Sequence, residues 1–423
     1  MNVRAIADLP PDERAALFER DAGIGDARAD AREIVERVRD EGDVALREYA
    51  EDLDGVAVGN LDVTDEAERA WERLDGDLRT AIEDAIENVR AFHERQVPED
   101  WTEEFEGREL GRRFRPIERA GVYVPGGTAA YPSSAIMGVI PAAVAGVEQI
   151  AVATPPAEEF SDATLGAIHA ARADRVYAAG GAQAIGALAY GTETVDRVQK
   201  IVGPGNRWVS AAKAEVRGDV EIDFVAGPSE VLVLADETAD PTLVAAELVA
   251  QAEHSPNAAV VAVTDDEALA EAVAESVESQ AAERDRTETI QAALDNDASG
   301  ILLARSQSEA VAVAEEFAAE HLAIYADEPA ELADRVPSAG SVFLGEYTPV
   351  AAGDYASGTN HVLPTNGLAR VTGGLSVDTF LRASTVQRLD RDALADLRGT
   401  IETLAEAEGL DAHAESVRKR FEE

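Results

Sequence analysis

Residues 230–263 read EVLVLADETADPTLVAAELVAQAEHSPNAAVVAV, and the order of their apolar runs decides the fold. The runs 230–234 and 259–263 are short and rich in valine, the composition of strands buried on both faces. Between them, Asp240 and Pro241 mark a helix start. An aspartate there accepts from the first free amides, and proline at the first helical position forfeits no bond. The helix so opened runs over 241–254 and ends at Gln251 and His254. Strand, helix, strand at this length is a βαβ unit, whose two strands lie parallel.

The same alternation extends both ways. Further strands are expected at 120–124, 149–153, 175–178, 199–202, 300–303, 322–325 and 341–344. Helical patterns fall near 133–146, 161–172, 182–190, 206–216, 266–283 and 306–319. One parallel sheet takes the first four strands and a second takes the rest, giving two α/β domains. Residues 1–110 read as helices: 28–51 and 64–96 carry apolar residues at helical spacing (Ile34, Val35, Val38; Leu78, Ile82, Ile86, Val89). A helical tail is expected over 376–423.

Charge narrows the partners. The chain has 423 residues, 83 of them acidic and 37 basic, for a formal −46. Its only lysines are Lys200, Lys213 and Lys419. Such a surface repels nucleic acid and anionic lipid, so neither a nucleic-acid nor a membrane partner is expected. Acids spread along the chain suit a surface held in high salt, where self-repulsion is screened. No leader is evident and the longest apolar run, 135–147, is too short for a bilayer, so a cytoplasmic location is expected. There are no cysteines, which excludes thiolate zinc sites, Fe–S clusters and a thiol nucleophile.

Several segments could carry chemistry. Gln251 and His254 share a helix face and could grip a metal, although, taken alone, a polar helix end explains them better. The stretch 351–365, AAGDYASGTNHVLPT, lacks periodicity and reads as a loop; Asp354 and His361 could serve a site or merely a turn. In 408–413, EGLDAH, Gly409 would end one helix and Asp411 cap the next, leaving Glu408 and His413 at the junction. Glu320 and His321 put two proton acceptors of different strength side by side, or simply close a helix. Ser229, in AGPSEVLVLAD, could bond a ligand or cap its turn. The glycine-bearing turns 121–134, 180–193 and 202–206 follow strands and precede helices, where backbone amides can seat phosphate. None is GxGxxG, and no acid is placed to read a ribose as that motif requires.

Taken together, AGPSEVLVLAD, LVAQAEH, AAEHL, GSVFLG (340–345), AGDYASGTNHVLPT, GLSV (374–377) and EGLDAH resemble the histidinol dehydrogenase family, in order, over roughly residues 20–420. Ser255 stands where many members carry glycine. The resemblance implies two incomplete Rossmann-like parallel-sheet domains, with 23–121 plus 230–375 forming the first and 122–229 the second. A helical arm (1–22) and a tail (376–423) exchanged between the subunits of a homodimer would complete it. It implies Zn2+ held by Gln251, His254, Asp354 and His413, the last from the partner subunit. Ser229, His361 and Glu408 would contact substrate; Tyr123, Gln183 and Asn206 would contact NAD; Glu320 and His321 would be the acid–base pair. The implied activity is oxidation of L-histidinol through the aldehyde to L-histidine. A zinc hydrolase, a non-catalytic metal- or nucleotide-binding protein, and a member of the same family acting on another amino alcohol are the alternatives.

Overall fold

A computed structural model describes residues 1–18, 20, 23–126 and 130–422. Fourteen strands among these, numbered in chain order, form three sheets. The first is wholly parallel, in the order β1 (Val3–Ala5), β11 (Gly300–Leu303), β10 (Ala259–Thr264), β9 (Glu230–Ala235), β12 (His321–Tyr325), β13 (Ser341–Leu344). The second, also parallel, runs β6 (Arg175–Ala178), β5 (Gln149–Thr154), β4 (Arg119–Tyr123), β7 (Lys200–Val202), β8 (Glu221–Ile222). The third is antiparallel: β14 (Leu381–Leu389), β3 (Arg108–Pro116), β2 (Trp101–Phe105).

The quoted stretch folds as read. In β9 and β10 every residue is buried, and Val231 pairs with Val260 in parallel register. Successive side chains of β9 serve opposite faces. Val231 and Val233 enter a core with Val244 and Leu248 of the helix Pro241–Ala252. Leu232 and Leu234 enter a second core with Ala314 and Phe317 of the helix Gln307–Phe317. Each such burial contributes about 1.5–3 kcal/mol. The Asp240 carboxylate accepts from Thr242 N at 2.7 Å, the expected cap.

Several expectations need correction. The stretch 28–51 is two helices, Ile24–Glu41 and Asp43–Leu53, broken at Gly42. Gly42 has φ +57°, and a Cβ there would fall 2.4 Å from a Glu193 carboxylate oxygen. The stretch 64–96 is likewise split, into Thr64–Arg73 and Gly76–Glu94, because Leu74 turns extended and Asp75 caps a new start. Residues 101–110, read as helical, belong to the hairpin β2–β3, turned at Glu106 and Gly107, both at positive φ. The region 1–22 holds a strand as well as a helix: β1 lies beside β11 and precedes Pro11–Phe18, while Glu19, Asp21 and Ala22 lie outside the described residues. The tail 376–423 contains β14 before its helices Arg391–Ala407 and Asp411–Arg418. Part of the loop 351–365 is the helix Val350–Tyr355.

The contacts divide the chain into Met1–Gln96 with Ile117–Phe380, and Val97–Pro116 with Leu381–Glu423. This differs from the four-part division expected from sequence. Within the first unit, Ile24–Glu41 was expected beside the strands of 230–375. It packs instead into the core of the five-stranded sheet, where Ala31, Val35 and Val38 join Ile185 and Val209. No helix among the described residues is long and apolar enough to cross a membrane.

Candidate active site

The six-stranded sheet changes direction between β9 and β12: β10 and β11 lie to one side, β13 to the other. At the amino ends of these two strands sit Glu230 and His321. The helix Gln307–Phe317 stops at Ala318, a non-glycine residue in the left-handed region (φ 50°), and Glu320 and His321 follow at once. Backbone held in that region costs energy and gathers at functional sites.

One residue organises the pair. Glu230 N–H donates to Glu320 Oε2 at 2.8 Å, and Glu230 C=O lies 2.9 Å from His321 Nδ1. In the neutral imidazole, a proton on Nδ1 satisfies that carbonyl and makes Nε2 the acceptor. Nε2 is buried without a hydrogen-bond partner, 3.6 Å from Asp354 Oδ1. Burial pushes the Glu320 carboxyl up to about 7. Burial also opposes a charged His321, but Glu320 and Asp354 outweigh it and carry the imidazole to about 9. Asp354, although desolvated, is held below the usual carboxylate range by His321.

The other residues approach from separate elements. Gln251 lies in the last turn of Pro241–Ala252, 3% exposed, its Nε2 unpartnered. His254 follows the helix cap and stands exposed. Asp354 sits on Val350–Tyr355, whose first amide donates to the buried Glu247 carboxylate at 3.0 Å. His361 Nδ1 lies 2.8 Å from the Asp354 carbonyl, which leaves its Nε2 free too, and burial lowers its basicity. Asp354, His321, His254 and His361 lie near enough for their charges to act on one another. Ser229 is half-buried immediately before β9. Among the described residues, no three His, Asp or Glu side chains converge closely enough to hold a metal; the orphaned Gln251 amide is of a type outside that set. Glu408 and His413 belong to the second unit, at the end of Arg391–Ala407 and the first turn of Asp411–Arg418, both exposed. Leu410, rather than Asp411, occupies the cap there, after Gly409 at φ 72°.

The three residues assigned to a dinucleotide lie along the five-stranded sheet, which reverses between β4 and β7. Crevices of this kind, at the carboxyl ends of strands, take nucleotides in open α/β sheets. Tyr123 ends β4, and its hydroxyl accepts from Gly181 N at 3.1 Å. Gln183 is buried in the first turn of Gly181–Tyr190, and Asn206 caps Arg207–Val216 by accepting from Trp208 N and Val209 N. Of the turn 121–134, Gly127, Thr128 and Ala129 lie outside the described residues.

Four residues escaped the sequence reading. Glu230 (1% exposed) pairs with the buried Arg20 at 3.0 Å. Lys213 and Asp223 form a buried ion pair. That pair grips Gly203 from both sides: Lys213 Nζ donates to its carbonyl at 3.0 Å, and its N–H donates to Asp223 at 2.8 Å. Gly203 has φ 113°, and a Cβ there would fall 2.2 Å from Tyr123 O. A signal existed for two of them: Lys213 is a rare lysine within an apolar helix, and Glu230 heads a wholly apolar strand.

Comparison with known proteins agrees with this geometry. The family model described as histidinol dehydrogenase matches residues 19–421. Histidinol dehydrogenases of Haloarcula marismortui and Halobacterium salinarum are 71% and 69% identical, with 100% of each chain covered. The crystal structure of histidinol dehydrogenase from Elizabethkingia anophelis superposes with a TM-score of 0.92 at 37% identity, covering 99% of this chain and 98% of that one. An acetylating aldehyde dehydrogenase from Geobacillus thermoglucosidasius shares the fold alone, at 13% identity and a TM-score of 0.53. The chain belongs to the histidinol dehydrogenase family.

Proposed function

We infer that the chain oxidises L-histidinol to L-histidine through L-histidinal, the closing steps of histidine biosynthesis, with hydride passing twice to NAD. The observation that carries this reading is the buried Glu320–His321 pair, held at the backbone of Glu230 with His321 Nε2 unpartnered. In the first oxidation, His321 Nε2 takes the hydroxyl proton as hydride leaves the adjacent carbon for the nicotinamide. The aldehyde then needs a nucleophile. Cysteine is absent, so a thiohemiacetal cannot form and hydration is the route. Glu320 takes a proton from water as its oxygen bonds to the carbonyl carbon, and protonated His321 returns its proton to the carbonyl oxygen, giving the diol and a free imidazole. His321 then takes a proton from the diol as the second hydride departs to NAD, and the carboxylic acid so formed loses its proton to solvent.

The site also suits zinc, since it offers imidazole, carboxylate and amide groups, and the Gln251 amide is buried with one end unpartnered, so that a flip of the amide turns its oxygen to the ion. Gln251, His254 and Asp354 would hold it, with His413 contributed by a second copy in a homodimer. Zinc there would orient the imidazole and amino nitrogens of the substrate and neutralise Asp354, one of the charges that keep His321 protonated. Ser229, His361 and Glu408 would position the substrate; Tyr123, Gln183 and Asn206 would hold the dinucleotide. A cytoplasmic location fits the reaction. The test is turnover of L-histidinol with NAD in high salt, before and after chelation. Loss on chelation and recovery with zinc support the reading, and full activity in metal-free protein contradicts it. A hydrolase would need no dinucleotide.

A further inference from the structure

We propose that Asp54 restricts the dinucleotide to the form without a 2′-phosphate, by accepting a hydrogen bond from a ribose hydroxyl. This rests on the NAD-linked reading above. No acid is placed along the glycine-bearing turns to read a ribose, yet the fold brings one in from elsewhere. Asp54 closes the helix Asp43–Leu53, far in sequence from every strand of the five-stranded sheet. It meets one of the three residues assigned to the dinucleotide, and its charge reaches a second. Gln183 Nε2 donates to Asp54 Oδ2 at 3.4 Å, a long bond that leaves most of the acceptor capacity unused. The Asp54 charge also acts on the Tyr123 hydroxyl, which is itself engaged by Gly181 N–H. These two residues belong to different strand–helix connections, Tyr123 ending β4 and Gln183 opening Gly181–Tyr190.

Its surroundings explain why this group would select. Asp54 is half-buried and, among the described residues, Gln183 alone offsets its desolvation and no cation pairs with it. A partly desolvated carboxylate with one weak donor gains from further donors. The ribose diol of a dinucleotide supplies them. A 2′-phosphate would instead place a second anion beside the first in a partly dry crevice, where like charges repel strongly. Sites that accept that phosphate place an arginine there; Asp54 is of the opposite charge.

The experiment measures NADH and NADPH binding by nicotinamide fluorescence, for the unaltered chain, Asp54→Asn and Asp54→Ala, in high salt. It is run beside NAD-linked turnover of L-histidinol. The unaltered chain should favour NADH, and Asp54→Asn should raise NADPH affinity relative to NADH by at least about tenfold. The KM for L-histidinol should stay in place; a merely structural role for Asp54 would not shift the coenzyme ratio. Equal binding of the two by the unaltered chain, or an unmoved ratio in both variants, overturns the proposal. Binding of NADH without L-histidinol oxidation would instead overturn the reaction assigned above, and the ratio would still judge Asp54.

Discussion

At the scale of residues, the two carboxyls around His321 have different tasks. Asp354 stays ionised against the imidazole, whereas burial carries Glu320 to about 7. Glu320 can take a proton from water only as the carboxylate. Oxidation of added L-histidinal should therefore fall as pH drops through about 7. Replacing Glu320 with Gln should lower that step by roughly 10²–10⁴-fold, the usual worth of a general base, and leave conversion of the alcohol to the aldehyde largely intact. Single-turnover NADH formation from each substrate checks this; equal losses on both would remove Glu320 from the hydration step. The pair itself was legible in sequence because an acid and an imidazole are adjacent. Its support was not. Glu230 acts through its backbone amide and carbonyl, and no side-chain pattern announces a backbone role.

Elements were legible where burial left a period. The nine strands expected between 120 and 344 all form, eight of them with mostly buried residues, whereas the edge strand β13 buries Phe343 alone. Strands β2 and β14 escaped detection for the opposite reason: β2 is exposed throughout and β14 nearly so. With no buried face they show no alternation to read. The breaks at Gly42 and Leu74 were equally silent, since apolar spacing continues across them. The turn after β7 depends on a charge pair hidden inside a helix pattern. Lys213 and Asp223 are each 2% exposed, so Lys213→Met strands a buried carboxylate. The expected cost is about 3–5 kcal/mol of unfolding free energy, with weakened dinucleotide binding because Gly203 loses its clamp. Denaturant unfolding in constant high salt measures it. A loss below about 1 kcal/mol, the worth of an exposed pair, would show that the pair is solvated.

At the scale of the whole molecule, the governing quantity is the formal charge of −46. Compaction of so acidic a chain depends on counter-ions, and screening tightens from about 10 Å at 0.1 M to about 3 Å at 1 M salt. The thermal midpoint should rise steeply across that range in potassium chloride. A midpoint that is flat, or that falls, would remove the salt-adapted reading of the surface. Charge was fully legible in composition.

A single thiol-free site for both oxidations is tested by the NADH formed per L-histidinol consumed, in high salt with zinc. Two NADH per substrate, with L-histidine as product, is the expected result. One NADH, with the aldehyde accumulating, would contradict the hydration route and the role given to Glu320.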